Sequence, residues 1–220
     1  MIQTLILGAS GGIGRALAQA CRARGETVTA LSRSGDGFDI TDPPTVAAHL
    51  EGLGAFDRVI VATGALEIDG SAPEKTIKAI SKPAMMAQFA LNAVGPALVL
   101  AQAHHLLPRD RRAVFAVLSA RVGSIGDNRM GGWISYRTSK AALNQVLHTA
   151  AIELGRTHRR AVCVALHPGT VATDFTAKYV GRHPAVPPSE AAENLLAVMD
   201  GLEPTQSGGF FDWAGKEVPW

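Results

Sequence analysis

Tyr136 and Lys140 stand four residues apart in Tyr136-Arg137-Thr138-Ser139-Lys140, inside a segment with helical apolar spacing. On a helix that interval puts both side chains on one face, about 6 Å apart along the axis. A phenol in water titrates near 10 and is a poor acid or base at neutral pH. A fixed cation beside it favours the phenolate and lowers that value. Such a pair can manage a proton at neutral pH. The interval alone also fits an ordinary solvated helix face, so the chemistry depends on what the rest of the chain assembles around it.

Apolar runs suited to strands occur at 4–7, 27–31, 58–62, 113–118 and 161–166, with a further strand at 209–212. Helical patterns lie between them, at 12–24, 44–50, 84–107, 134–157 and 189–199. This alternation predicts parallel βαβ units and a single-domain α/β fold over 1–220, a Rossmann-type doubly wound parallel sheet with helices on both faces. Near-continuous apolar strands are what such burial requires. The long irregular stretch 173–189, with Gly181, Pro184, Pro187 and Pro188, reads as a lid.

The 220 residues, 47% hydrophobic and 18% charged, suit one domain with a substantial core. Net charge is +2, and the basic clusters at 109–112 and 156–160 follow helical patterns, so they read as helix ends rather than a nucleic-acid surface. Cys21 and Cys163 have no paired spacing and read as reduced core thiols of a cytoplasmic protein. A strand beginning at Ile2 leaves no room for a signal peptide. The apolar segment 84–103 is interrupted by Gln88, Asn92, Pro96 and Gln102, which favours a buried helix over a membrane span. No metal signature appears, and the adjacent His104 and His105 project in different helix directions.

Directly after the first strand comes Gly8-Ala9-Ser10-Gly11-Gly12-Ile13-Gly14. Gly8 suits a tight turn, Gly12 a close approach of backbone to a pyrophosphate, and Gly14 close packing of the following helix, whose N-terminus offers amide donors. Proteins of this architecture that bind NAD place a carboxylate on the ribose at the end of the second strand. Here that strand ends in Ser32 and Arg33. Ser32 can donate to a 2'-phosphate and Arg33 can add a charge-assisted bond, which points to NADP(H).

The glycine turn, the Tyr-Lys pair and the α/β order together resemble the short-chain dehydrogenase/reductase family over nearly the whole chain. Asp39-Ile40 is similar to the family's pair against the adenine, and Ala62-Thr63-Gly64 to its turn after the third parallel strand. Asn92 matches the active-site Asn that holds a water linked to the lysine. Pro168-Gly169-Thr170-Val171-Ala172-Thr173 resembles the Pro-Gly motif, in which Val171 would contact the nicotinamide carboxamide and Thr173 the phosphate side. The segments 120–128, 131–133 and 211–215 resemble the branch of C-factor-like signalling proteins and small carbonyl reductases.

The resemblance implies reduction of a small carbonyl, or oxidation of the alcohol, by NADPH lying across the strand C-termini. Tyr136 would give the proton and Lys140 would bond the ribose while lowering the tyrosine pKa. A serine would orient the substrate oxygen, yet the family's position, three residues before Gly123, is Ala120. Ser119 is preferred over Ser124 as its replacement, provided that the strand end twists or bulges; a site without serine is the remaining alternative. The substrate pocket should lie among 65–71, 130–133 and 174–187, with Trp133 and Phe175 as apolar walls. His167 reads as a satisfied strand-end histidine rather than a base. Apolar faces on 84–107 and 134–157 suit a homodimer or homotetramer. A nicotinamide-binding signalling protein with incidental turnover is the competing function.

Overall fold

The computed structural model describes residues 1–178 and 185–220. In chain order its elements are β1 (Gln3–Leu7), α1 (Gly12–Ala23), β2 (Thr27–Leu31), α2 (Arg33–Asp36), α3 (Pro43–Leu50), β3 (Arg58–Val61), α4 (Lys82–Phe89), α5 (Gly95–Leu100), α6 (Ala103–Leu106), β4 (Ala113–Leu118), α7 (Ile134–Leu154), β5 (Ala161–His167), α8 (Pro188–Gly201) and β6 (Phe210–Asp212). The six strands form one parallel sheet in the order β2-β1-β3-β4-β5-β6. The order reverses direction between β1 and β3, which opens a crevice at their C-terminal ends.

Alternate strand residues divide the core into two layers. Leu5, Val59, Phe115 and Cys163 meet α3, α5, α6 and α7 on one face, while Ile6, Ile60, Ala116 and Val164 meet α1 and α8 on the other. Coverage on both sides explains why β3 and β4 are buried at every position, whereas the edge strand β2 is only partly so. The predicted strands therefore stand nearly where their apolar runs lie.

The long helix expected over 84–107 is interrupted. A π-helical turn, Ala90–Val94, separates α4 from α5, and the chain turns again before α6. Pro96 has no N–H to give the Asn92 carbonyl, so regular α-helical bonding cannot run through this point. The stretch Lys82–Leu100 is long and apolar enough by composition to cross a membrane. Here it packs along α7 and buries Gln88 and Asn92.

Of the expected lid, positions 179–184, with Gly181 and Pro184, lie outside the described residues.

Candidate active site

The glycine turn is strapped to the end of β2: the Gly8 and Ala9 amides both donate to the Leu31 carbonyl, at 2.8 and 3.1 Å. Gly8 has φ 90°, and a Cβ there would sit 2.9 Å from the Ala62 carbonyl carbon. A Cβ on Gly14 would fall 2.2 Å from the Gly8 carbonyl oxygen, so only glycine lets α1 start this close to the turn. Gly11 caps α1 without a side-chain bond and no acidic residue stands in the first turn. This helix start, with Ser10 and Ile13 beside it, can take an anion on its amides. Gly12 faces Thr173, whose Cγ2 would lie 2.6 Å from an added Cβ. The Pro-Gly segment thus folds back over the turn, with Val171 buried and Gly169 covered by Trp213.

At the end of β2, Ser32 is buried and accepts from the Gly35 amide at 3.1 Å. Its own amide and hydroxyl donate to Asp36 Oδ2, at 2.8 and 3.2 Å. The sequence shows no carboxylate at this strand end, but the short helix α2 brings Asp36 back to it, with Arg33 exposed alongside. The Asp39 carboxylate accepts from the Thr41 amide and hydroxyl, and these bonds hold it below the ordinary carboxylate range, with smaller help from Arg33. Ile40 is a packing group, buried against Gly95.

After β3, Ala62, Thr63 and Gly64 run between the glycine turn and the helices behind. Thr63 Oγ1 is buried with no hydrogen-bond partner among the described residues. A Cβ on Gly64 would lie 3.0 Å from Asn92 Oδ1 and 3.4 Å from Lys140 Nζ, so three of the expected site residues converge here. Asn92 is fully buried and grips the next residue by both backbone groups: Ala65 N–H donates to Oδ1 at 3.1 Å, and Nδ2 donates to the Ala65 carbonyl at 3.0 Å. Nδ2 also donates to Gln88 Oε1 at 2.5 Å, and Gln88 Nε2 to the Leu66 carbonyl at 2.9 Å.

On α7, Tyr136 and Lys140 do share a face, with Nζ 6.0 Å from the ring centroid. Tyr136 is 6% exposed and its ring meets Trp133 and Phe175, each at 6.4 Å between centroids. Lys140 Nζ donates to the Leu118 carbonyl at 2.9 Å. Burial dominates both groups. It pushes the phenol above its ordinary value and takes Lys140 down to about 7. The lowered tyrosine pKa expected from the pair alone is therefore not what this environment produces, because desolvation penalises both charged forms.

Neither candidate serine joins this group. Ser119 is buried and donates to Asn144 Oδ1 at 2.6 Å, and Asn144 lies two helical turns beyond Tyr136. Ala120 continues in extended conformation, φ −143° and ψ 142°, without the bulge that would turn Ser119 round. Ser124 is buried, donates to the Pro219 carbonyl and accepts from the Asp127 amide, which fastens the C-terminal segment. His167 is not the satisfied histidine expected: its Nδ1 is buried with no hydrogen-bond partner among the described residues, and burial takes the ring down to about 4, so it is neutral at pH 7. The His104 and His105 rings meet edge-on, 4.8 Å between centroids.

A cleft of about 220 Å³ opens beside Phe175, lined by Ala65, Leu66, Glu67, Asp174, Phe175 and Lys178. Lys178 and Glu67 pair across it at 2.6 Å. Met130 is exposed. Gln88, Asn144, Asp36 and Glu74, whose carboxylate takes the Ser135 amide, escaped the sequence reading. Asn144 and Glu74 have partners distant in sequence, whereas Asp36 and Gln88 bond side chains only four residues away, Ser32 and Asn92.

The family model described as short chain dehydrogenase matches residues 37–183. A relative from Rhodococcus sp., 1-hydroxy-2-glutathionyl-2-methyl-3-butene dehydrogenase, is 31% identical over 236 residues, covering 100% of both chains. The C-signal protein of Myxococcus xanthus is 38% identical over 139 residues, covering 62% of this chain and 78% of that one. Among solved structures, a short-chain dehydrogenase/reductase from Burkholderia multivorans with bound NADP superposes with a TM-score of 0.79 at 26% identity, covering 100% of this chain and 99% of that one.

Proposed function

Because the chain belongs to the short-chain dehydrogenase/reductase family, whose members are oxidoreductases using nicotinamide dinucleotides, we propose that it reduces a small aldehyde or ketone with NADPH, with Tyr136 as proton donor. The observation that carries this reading is the convergence of Gly64, Asn92 and Lys140 behind the glycine turn, with Tyr136 one helical turn away. The residues fit the cofactor. Uncapped α1 amides can receive the pyrophosphate, Thr63 Oγ1 beside Gly8 is a buried hydroxyl with no partner among the described residues, and Arg33 is exposed where it could meet a 2'-phosphate. When bound, the nicotinamide would supply the hydride.

The chain's own residues would handle the oxygen. Tyr136, kept protonated by burial, gives its proton to the carbonyl oxygen, and the apolar Trp133 and Phe175 rings exclude water from it. Lys140, poised near neutrality, can exchange a proton at physiological pH, and Asn92 holds the Ala65 turn against it. The cleft beside Phe175 suits a modest apolar or aromatic body, with a charged rim at Glu67, Asp174 and Lys178. Exposed Met86, Val94 and Ile152 would be covered in a homodimer or homotetramer, and we expect a cytoplasmic protein.

The decisive experiment follows NADPH oxidation over an aldehyde and ketone panel. Tyr136→Phe should lose about 10²- to 10⁴-fold in turnover while still binding NADPH. Equal rates in the two proteins would end the assignment. A second reading, a nicotinamide-binding signalling protein, is favoured by one observation: Ala120 carries no hydroxyl and both neighbouring serines are engaged elsewhere. Tight NADPH binding with no turnover on any carbonyl would select it.

A further inference from the structure

We propose that Glu74 is a positioning residue for Tyr136: it fixes the first turn of α7, and with it the depth and direction of the phenol. The proposal rests on the reading of Tyr136 as proton donor. The approach to α7 is unusual. Gly131, Gly132 and Trp133 follow one another with φ of 63°, 67° and 53°, and Trp133, the capping residue, makes no side-chain cap bond. A left-handed conformation is unfavourable for a non-glycine residue and persists only where its surroundings hold it. A helix start also leaves four amides in need of partners.

Glu74, from a loop far back in the sequence, supplies the holding contacts. Its carbonyl accepts from the Trp133 amide at 2.5 Å, its Oε2 accepts from the Ser135 amide at 3.2 Å, and its Oε1 accepts from the Ser135 hydroxyl. Arg137 adds a bond to the Gly132 carbonyl at 2.9 Å from the helix side. Glu74 is 6% exposed. Burial acts to raise its carboxyl, but the bonds from Ser135 outweigh this and hold it below the ordinary range, so it is ionised at neutral pH. A negative charge at a helix N-terminus is favourable in itself.

The same loop is held at its other end. Asn92 grips Ala65 and Gln88 binds the Leu66 carbonyl, so both helix systems flanking the site clamp one wall of the substrate cleft. Glu74, Gln88, Ser135 and Tyr136 bound a cavity of only about 10 Å³. Tyr136 directly follows Ser135, so displacing this turn displaces the phenol.

The test uses Glu74→Ala and Glu74→Gln in the full chain. The sequence holds two tyrosines, Tyr136 and Tyr179, so in a Tyr179→Phe background tyrosinate absorbance reports Tyr136 alone. At a pH of about 11 an ordinary phenol is mostly ionised, whereas Tyr136 should stay protonated in the parent and become mostly ionised in Glu74→Ala. With the native Tyr179 retained, Glu74→Ala should lower kcat for carbonyl reduction about 10- to 100-fold, with the KM for NADPH within about 2-fold. Glutamine can accept from the Ser135 amide and donate to its hydroxyl, so Glu74→Gln should stay within about 3-fold of the parent in kcat.

A folded Glu74→Ala whose Tyr136 remains protonated would overturn the proposal, as would equal losses in the two variants. Should Glu74→Ala not fold, Ser135→Ala removes only the hydroxyl half of the clamp and should give a partial loss of both readouts; no change in either would also overturn it. Absence of turnover in the parent would be a failure of the functional reading, and the absorbance experiment would still judge Glu74.

Discussion

Ser119 donates its hydroxyl to Asn144 Oδ1 at 2.6 Å, two turns of α7 past Tyr136. Eight residues of helix place the two backbone positions about 12 Å apart along the axis. The hydroxyl is therefore a structural donor. Ser119→Ala should leave kcat within about 3-fold but reduce stability by about 1–3 kcal/mol, because the buried Asn144 oxygen loses its donor while its Nδ2 already has no partner among the described residues. Steady-state kinetics and urea unfolding on the same preparation separate the two effects. A hundredfold fall in kcat at unchanged stability would return Ser119 to the chemistry.

Arg33 and Asp36 open and close the short helix α2 at the end of β2, the corner proposed above to receive a ribose 2' group. Asp36 is already engaged by the Ser32 amide and hydroxyl, so under the proposed function the exposed Arg33 would be the group that selects the cofactor. Arg33→Ala should weaken NADPH at least about 10-fold and NADH less than about 2-fold. Asp36→Asn, by removing a nearby like charge, should tighten NADPH by about 3-fold and lower the melting temperature through the weakened α2 start. Both are read by titrating nucleotide fluorescence. Parallel losses for the two nucleotides in Arg33→Ala would reject the NADP(H) assignment.

What the sequence made legible follows from the range of the forces involved. The strands were readable because burial on both faces imposes apolar runs, and the start of α1 because Gly14 answers to the Gly8 carbonyl six residues before it. The convergence of Tyr136 and Lys140 on one face is a property of helix geometry. The break at Ala90–Val94 was marked only by Pro96, which a continuous apolar pattern concealed. Ser119 turned on side-chain direction at a strand end, and Asp36 on a four-residue helix without an apolar stripe. Glu74 and Gln88 act through side-chain clamps on distant segments, where no local spacing betrays them.

Asn92 carries a stability prediction of its own. Replacing it by Ala strips the Ala65 amide and carbonyl of their partners and removes a donor from Gln88. The Gln88 oxygen is buried and the Ala65 groups are half-buried, so leaving them unpaired should cost about 1–3 kcal/mol in all by urea unfolding. Proteolysis should then cut first within the loop at 65–74, since one of its two anchors is gone. Cleavage elsewhere, with a loss below about 1 kcal/mol, would mean that the amide is not the anchor.

Lys140 should write its burial into the pH dependence of stability. Burial takes it down to about 7 in the folded protein, against about 10.4 in an unfolded chain. Between these values the unfolded chain binds more protons, so stability rises with pH across that window, by at most about 1.4 kcal/mol per unit. His167, taken down to about 4, contributes a rise that is complete by about pH 7 and does not overlap. Tyr136 acts in the opposite sense above about pH 10, where the unfolded phenol ionises and the buried one does not. Lys140→Met keeps the aliphatic volume without the charge, and should flatten the slope of urea midpoints between about pH 7.5 and 9.5. An identical slope in wild type and variant would mean that the ammonium stays charged on the Leu118 carbonyl throughout, and Lys140 would then act as a fixed cation beside the phenol rather than as a group able to pass a proton.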